Sequence, residues 1–201
     1  MSAVKNFDHL TEIVKGKEKK ILAVASAEGK EIIQAAKTAA NQGILSFLFL
    51  GNKKKIEKIC KEVGFDLTRA EILDEDDTSK TSQLAVQLVK EKKADMLMKG
   101  KVSTSALLKA VLDKEKGIRT GKLLSHVAVI EVKNYPKFLL VTDGGMNIKP
   151  DVSAKVEILK NAIYVATKLG IEKPKISCLT AVETVNPKMQ ETIDASVLTK
   201  M

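Results

Sequence analysis

Apolar residues follow two rhythms along this chain. Short, largely apolar runs at Lys20–Ala25, Ile44–Leu50, Ala70–Leu73 and Ala94–Met98 each give way to stretches where apolar residues recur at helical spacing. The runs read as strands buried on both faces, and the periodic stretches read as amphipathic helices. One helix is expected over Asn6–Val14, near whose start Asn6 or Asp8 stands. A second carries Ile32, Ile33, Ala35, Ala36, Ala39 and Ala40 and stops at Asn41-Gln42-Gly43. Ile56, Ile59, Cys60 and Val63 mark a third that ends near Gly64, Leu84, Val86, Leu88 and Val89 mark a fourth, and Ala106–Leu112 a fifth.

Strand and helix in strict alternation specify an α/β fold: three layers, α/β/α, around a mostly parallel sheet. After Leu112–Gly117 the rhythm changes. Leu123–Val132 and Phe138–Thr142 are apolar runs joined by the turn-forming Lys133-Asn134-Tyr135-Pro136-Lys137, which predicts an antiparallel hairpin. The expected organisation is an N-terminal α/β domain over 1–132 and a partial second α/β domain over 133–201. In the second, Pro150 at or near the first turn introduces a helix from Asp151 to about Gly170, Ile176–Thr180 reads as a strand, and Pro187–Met201 begins as a helix. That helix meets no stop signal and the elements past the hairpin are too few for a core, so the expectation is a chain cut inside its second domain.

Chemistry concentrates at Met98-Lys99-Gly100-Lys101-Val102-Ser103-Thr104-Ser105, where a strand ends, a glycine permits a tight turn and hydroxyl residues open a helix. The first N–H groups of a helix lack intrahelical partners and carry a partial positive charge, so an anion there gains hydrogen bonds and field together. Lys99 and Lys101 add two full charges. The same residues also make an ordinary surface turn. What singles them out is topology: ligands of open parallel sheets gather at the carboxyl ends of the strands, and this turn lies on that edge. The acidic run Asp74-Glu75-Asp76-Asp77 lacks the ligand order of a calcium loop and reads as the entry cap of the fourth helix.

The net charge of +9 invites a nucleic-acid reading, but the lysines are interleaved with glutamates and aromatic residues make up 3% of the chain. Stacking partners for bases are therefore scarce, and neither nucleic acid nor membrane is expected as a partner. Cys60 and Cys178 form no ligand pattern, so no metal is expected either. No apolar run approaches the roughly 20 residues of a membrane helix, and Met1–Lys20 lacks a signal-peptide block, so the expected location is cytoplasmic.

Four blocks resemble the phosphate acyltransferases, specifically their phosphate butyryltransferase branch. They are Lys99–Thr104 with Leu107–Leu112; Arg119-Thr120-Gly121 with Leu124–Val129; Val141–Asn147 with Pro150-Asp151; and Ala181–Met189. The resemblance covers about the first two thirds of that family. It implies a two-domain architecture like that of isocitrate and isopropylmalate dehydrogenases, with the second domain incomplete here. It also implies exchange of acyl-CoA (butyryl-CoA or a similar short or branched chain) and inorganic phosphate for acyl phosphate and CoA. No tightly bound cofactor is implied; coenzyme A, acyl-CoA and phosphate are substrates, and the assembly is a homo-oligomer.

Carried over residue by residue, the resemblance places substrate on Gly100, Ser103 and Thr104, with Lys99 and Lys101 as electrostatic support. Lys109 stands where related phosphate acetyltransferases carry an arginine, so a point charge replaces a bidentate fork. Arg119, one of two arginines in the chain, suits phosphate, and Ser125, Asp143, Gly144, Gly145 and Asn147 complete the substrate-binding set. Asp143–Asn147 resembles the family's cleft loop, where glycine allows close backbone approach, and equally reads as a plain turn. Ser125 and His126 are adjacent in a strand and so point to opposite faces, which excludes a catalytic dyad; His126 reads as a half-buried, hydrogen-bonded residue. The family's serine, arginine and aspartate motif has no matching residues before Met201, leaving the catalytic groups unassigned. The alternative is a catalytically incomplete CoA- or phosphate-binding fragment, or an interaction module on the same scaffold. A nicotinamide-dependent dehydrogenase would need a GxGxxG fingerprint that is missing.

Overall fold

The computed structural model describes residues 3–201. Its contacts divide the chain into two units, one running Glu12–Thr120 and the other made by the chain on either side of it. Helix α1 (Phe7–Lys15) passes from one into the other.

In the first unit, β1 (Lys20–Ala25), β2 (Leu45–Gly51), β3 (Ala70–Asp74) and β4 (Met96–Lys99) form one parallel sheet in the order β3-β2-β1-β4. The helices between and after them are α2 (Lys30–Asn41), α3 (Lys53–Val63), α4 (Thr78–Lys90) and α5 (Thr104–Val111). Side chains alternate across the pleat, so each strand feeds two cores. Leu22, Val24, Phe47 and Phe49 pack with Ile32, Ile33 and Ala36 of α2 and Ile56 and Cys60 of α3. Ala23, Ala25 and Leu50 pack on the other face with Ala85 and Leu88 of α4 and Leu107 of α5. The first face is filled by aromatic rings, with Phe49 centred 5.4 Å from both Phe47 and Phe65. The second uses alanines, letting α4 approach the sheet closely. Burial in the first core pushes the Cys60 thiol up to about 11, so it behaves as a small apolar residue.

Because β1 leads to α2 on one face while its neighbour β4 leads to α5 on the other, the carboxyl ends of β1 and β4 flank the point where the strand order reverses. In open α/β sheets that is where a ligand crevice forms.

The second unit contains an antiparallel hairpin, β5 (Val127–Ile130) and β6 (Leu139–Thr142), with α6 (Val152–Lys168) and α7 (Gln190–Lys200). Phe7 and Phe138 rings lie 4.9 Å apart, and Val4 N–H donates to the Leu169 carbonyl at 2.8 Å, tying the N-terminal segment to it. The Lys155 ammonium pairs with the buried Asp194 carboxylate between α6 and α7, and Gln190 Nε2 donates to the same carboxylate at 2.7 Å.

The structure differs from the sequence reading in two places. A boundary at 132/133 falls between the two paired strands of the hairpin, and cross-strand bonding keeps 121–132 with the second unit. Ile176–Thr180 forms no strand: it finds no ladder partner among the described residues, and Leu179 is 89% exposed. Pro150 stands just before α6, where Asp151 is the cap and accepts from Ala154 N–H at 2.7 Å.

Candidate functional site

The helix entrances differ in what fills them. Helix α1 has Asp8 in its first turn, α2 has Glu31, and α7 has Glu191. Asp77 caps α4 by accepting from Ser79 N–H at 2.7 Å and Lys80 N–H at 3.1 Å, and Asp151 caps α6. At α3 the cap is Asn52, and two carboxylates reach in from elsewhere: Glu28 accepts from Asn52 N–H and Asp74 from Lys53 N–H, each at 2.8 Å. Among the described residues α5 alone opens with no carboxylate at all, whether as cap, in its first turn or reaching in from elsewhere.

Its entrance is built of hydroxyls and lysines. Ser103 Oγ caps it by accepting from Ala106 N–H at 3.1 Å and lies 3.1 Å from Ser105 Oγ. The N–H groups of Thr104 and Ser105 have no acceptor among the described residues. Ser103, Thr104 and Ser105 are exposed, as is Lys101, which pairs with no carboxylate there. A site open to solvent, carrying a helix's positive end and no internal anion, suits an external oxyanion.

The turn that leads into it is held by β1. Gly100 N–H donates to the Ala25 carbonyl at 2.8 Å and Lys101 N–H to the Ser26 carbonyl at 2.6 Å. A Cβ on Gly100 would lie 2.1 Å from the Ser26 oxygen, so only glycine fits. The two amides are thus occupied by protein, and the glycine serves the approach of the turn to β1. Lys99 Nζ folds back on the same turn, donating to the Gly100 carbonyl at 3.2 Å and the Val102 carbonyl at 3.1 Å. It braces the turn; Lys101 is the lysine whose charge is left uncommitted. Lys109 and Arg119 are exposed in the same unit, and neither pairs with an acid among the described residues.

Ser125, Asp143, Gly144, Gly145 and Asn147 lie in the second unit. Asp143 accepts from His126 N–H at 2.9 Å, from Asn147 N–H at 2.9 Å and from Asn147 Nδ2 at 2.6 Å; that Nδ2 also donates to the Leu124 carbonyl at 3.0 Å. Burial pushes the Asp143 carboxyl up, but these donors outweigh it and hold the group below its ordinary value. Asp143 is therefore an ionised loop anchor. Ser125 Oγ lies 2.8 Å from Asn161 Nδ2, which donates to it, so the serine is engaged from α6. His126 is exposed, not half-buried, and its backbone is held between Asp143 and the Thr142 hydroxyl. No protein atom comes within 4 Å of a Cβ built on Gly144 or Gly145, and Gly145 alone of the two, at φ +130°, requires glycine.

Sequence reasoning missed Asn161 and Thr81. Ser26 and Glu28 follow the first strand on the sheet edge where ligands gather and Asp74 opens the acidic run, but the bonds that each makes to a distant part of the chain were not visible in the sequence.

A family model described as Phosphate acetyl/butaryl transferase matches residues 75–201. The chain belongs to that family. Within the family, the Phosphate butyryltransferase of Clostridium acetobutylicum is 41% identical over 198 residues, spanning 98% of this chain and 66% of the relative. That of Clostridium beijerinckii is 42% identical over 197 residues, spanning 98% and 65%. The crystal structure of a branched-chain phosphotransacylase from Enterococcus faecalis V583 superposes with a TM-score of 0.77 at 33% identity, over 90% of this chain and 63% of that one. The chain thus spans about two thirds of the length of the curated relatives it matches.

Proposed function

We propose that this family member exchanges the acyl group of a short or branched acyl-CoA between coenzyme A and inorganic phosphate. A phosphate oxygen attacks the thioester carbonyl, the C–O bond of the acyl phosphate forms, the C–S bond breaks, and the sulfur leaves as the CoA thiolate, which takes up a proton. Membership in the family, with relatives named phosphate butyryltransferase, is the observation that carries this reading. The α5 entrance supports the placement of the phosphate on the Thr104 and Ser105 amides and the Ser103 hydroxyl, with Lys101 as counter-charge.

Fixing a nucleophilic oxyanion beside a thioester converts a bimolecular encounter into a positioned one. Donors that remain on the phosphoryl oxygens as charge moves onto the acyl group and sulfur add electrostatic stabilisation. Lys109, Arg119, Ser125 and the Asp143–Asn147 loop belong to the proposed substrate-binding set, Asp143 and Asn147 as loop anchors. The assembly is proposed to be a homo-oligomer, with CoA and phosphate as substrates and no tightly bound cofactor.

The test follows loss of thioester absorbance from butyryl-CoA with and without inorganic phosphate. Phosphate-dependent loss is expected; loss that is absent or independent of phosphate overturns the reaction.

A further inference from the structure

Ser26 closes β1 in a conformation that serine rarely adopts. Its φ is +57°, and it is 1% exposed. At a left-handed position the Cβ crowds the following carbonyl, so glycine or asparagine is the usual occupant. A serine there implies work for the hydroxyl. Ser26 Oγ lies 2.8 Å from Thr81 Oγ1, and Thr81 is equally buried in the first turns of α4. The Thr81 hydroxyl in turn donates to the Thr78 carbonyl at 2.9 Å. Thr81 has one hydroxyl proton and that bond uses it, so Ser26 must be the donor of the pair. The result is a relay from Ser26 through Thr81 to the α4 backbone, whose entrance Asp77 already fixes.

The left-handed turn has a consequence one strand away. It aims the Ser26 carbonyl at Lys101 N–H, at 2.6 Å, beside the Ala25 carbonyl on Gly100 N–H at 2.8 Å. Gly100 fits so closely under Ser26 that no side chain could intervene. The place of the β4–α5 turn is therefore set by the Ser26 backbone, and the Ser26 backbone by its hydroxyl.

We infer that Ser26 and Thr81 are positioning residues for the oxyanion site: their hydroxyl relay fixes the Gly100–Lys101 turn and so aims the α5 entrance. The inference rests on the oxyanion reading above. Neither residue touches substrate; both act through the turn.

The experiment uses the whole chain, labelled with 15N, with inorganic phosphate as the probe. Ser26→Gly accepts φ +57° without strain and removes the hydroxymethyl side chain, so it tests the relay in a folded protein. Thr81→Val removes the acceptor, and Thr81→Ser restores it. In Ser26→Gly and Thr81→Val, amide hydrogen exchange at Gly100 and Lys101 is expected to rise about tenfold over that of the core amides of Ala85 and Val86, a local opening instead of a global one. The phosphate concentration that half-saturates the shifts of Thr104 and Ser105 is expected to rise about fivefold, and Thr81→Ser to return both readouts to their original values. Unchanged protection of Lys101 in Ser26→Gly, or equal effects of Thr81→Val and Thr81→Ser, overturns the relay. A lack of any phosphate response at Thr104 and Ser105 in the unsubstituted chain overturns the oxyanion placement instead, while Lys101 exchange still decides whether the relay sets the turn.

Discussion

Helices α3 and α5 leave the same edge of the same sheet, yet their entrances are opposites. At α3 the exposed N–H groups meet the protein's own anions, Glu28 from the β1–α2 loop and Asp74 from the end of β3. At α5 the corresponding groups face solvent beside Lys101 and no carboxylate is supplied. An acid at a helix N-terminus is worth about 0.3–1 kcal/mol, and every other α-helix of the described residues takes that gain. The difference teaches that α5 forgoes a local stabilisation available from ordinary sequence choices, which is what the proposed oxyanion site requires. Local rules broken at one place amid general obedience mark function better than any single motif.

The harshest way to break the comparison is Gly100→Ala. Its Cβ would meet the Ser26 oxygen at 2.1 Å and the Ala25 oxygen at 2.6 Å, both backbone atoms with nowhere to go. A loss of about 3 kcal/mol in urea unfolding is expected, the upper part of the overpacking range, together with loss of the phosphate response. Gly144→Ala, where nothing lies within 4 Å, should leave stability nearly unchanged.

Two cap deletions sharpen it further. Ser103→Ala removes the α5 cap and Asn52→Ala the α3 cap, whose oxygen accepts from Lys55 N–H at 2.9 Å. Each should cost about 1 kcal/mol of stability. Only Ser103→Ala should also weaken phosphate binding, read by calorimetry; equal phosphate affinity in the two variants would remove α5 from the site. A subtler change is Glu28→Ala, which releases Asn52 N–H. An α3 entrance partly emptied of its own anion should then show a phosphate-dependent amide shift at Asn52 that the unsubstituted protein lacks.

Much of this architecture was legible because it is local. The strand runs, the Ser103 cap and the entry cap at Asp77 each follow from residues within a few positions of one another, and the strand–helix alternation left little choice but a parallel sheet. What escaped was nonlocal. Gly100 reads in the sequence as a glycine that permits a tight turn, whereas the Ser26 carbonyl from a distant part of the chain is what demands it. Lys99 looked like a free charge, but its ammonium is spent on the carbonyls of its own turn. Asp143 and Asn147 look like ligand groups in sequence, and in the structure they bond to each other and to the 124–126 backbone. Ile176–Thr180 has strand-like composition, yet a strand exists only where a partner lies beside it.

The mildest test separates the two kinds of entrance by titration. The N–H groups of Lys80 and Ser79, the former the larger influence, hold the Asp77 carboxyl below its ordinary value. A carboxyl whose folded value is depressed contributes stability that is fully present above its unfolded value, about 3.9, and is lost as the pH falls through the folded one. Asp77→Asn keeps a capping oxygen but cannot ionise, so it should lie slightly below the unsubstituted protein in urea midpoint at pH 7. The two curves should converge below about pH 4, where Asp77 itself becomes protonated. Ser103→Ala should behave differently, staying below the unsubstituted protein by the same margin at pH 7 and at pH 3, because a hydroxyl cap carries no charge to lose. Parallel curves for Asp77→Asn would mean that the α4 entrance gains nothing from its carboxylate charge, and the contrast with α5 would then reduce to shape.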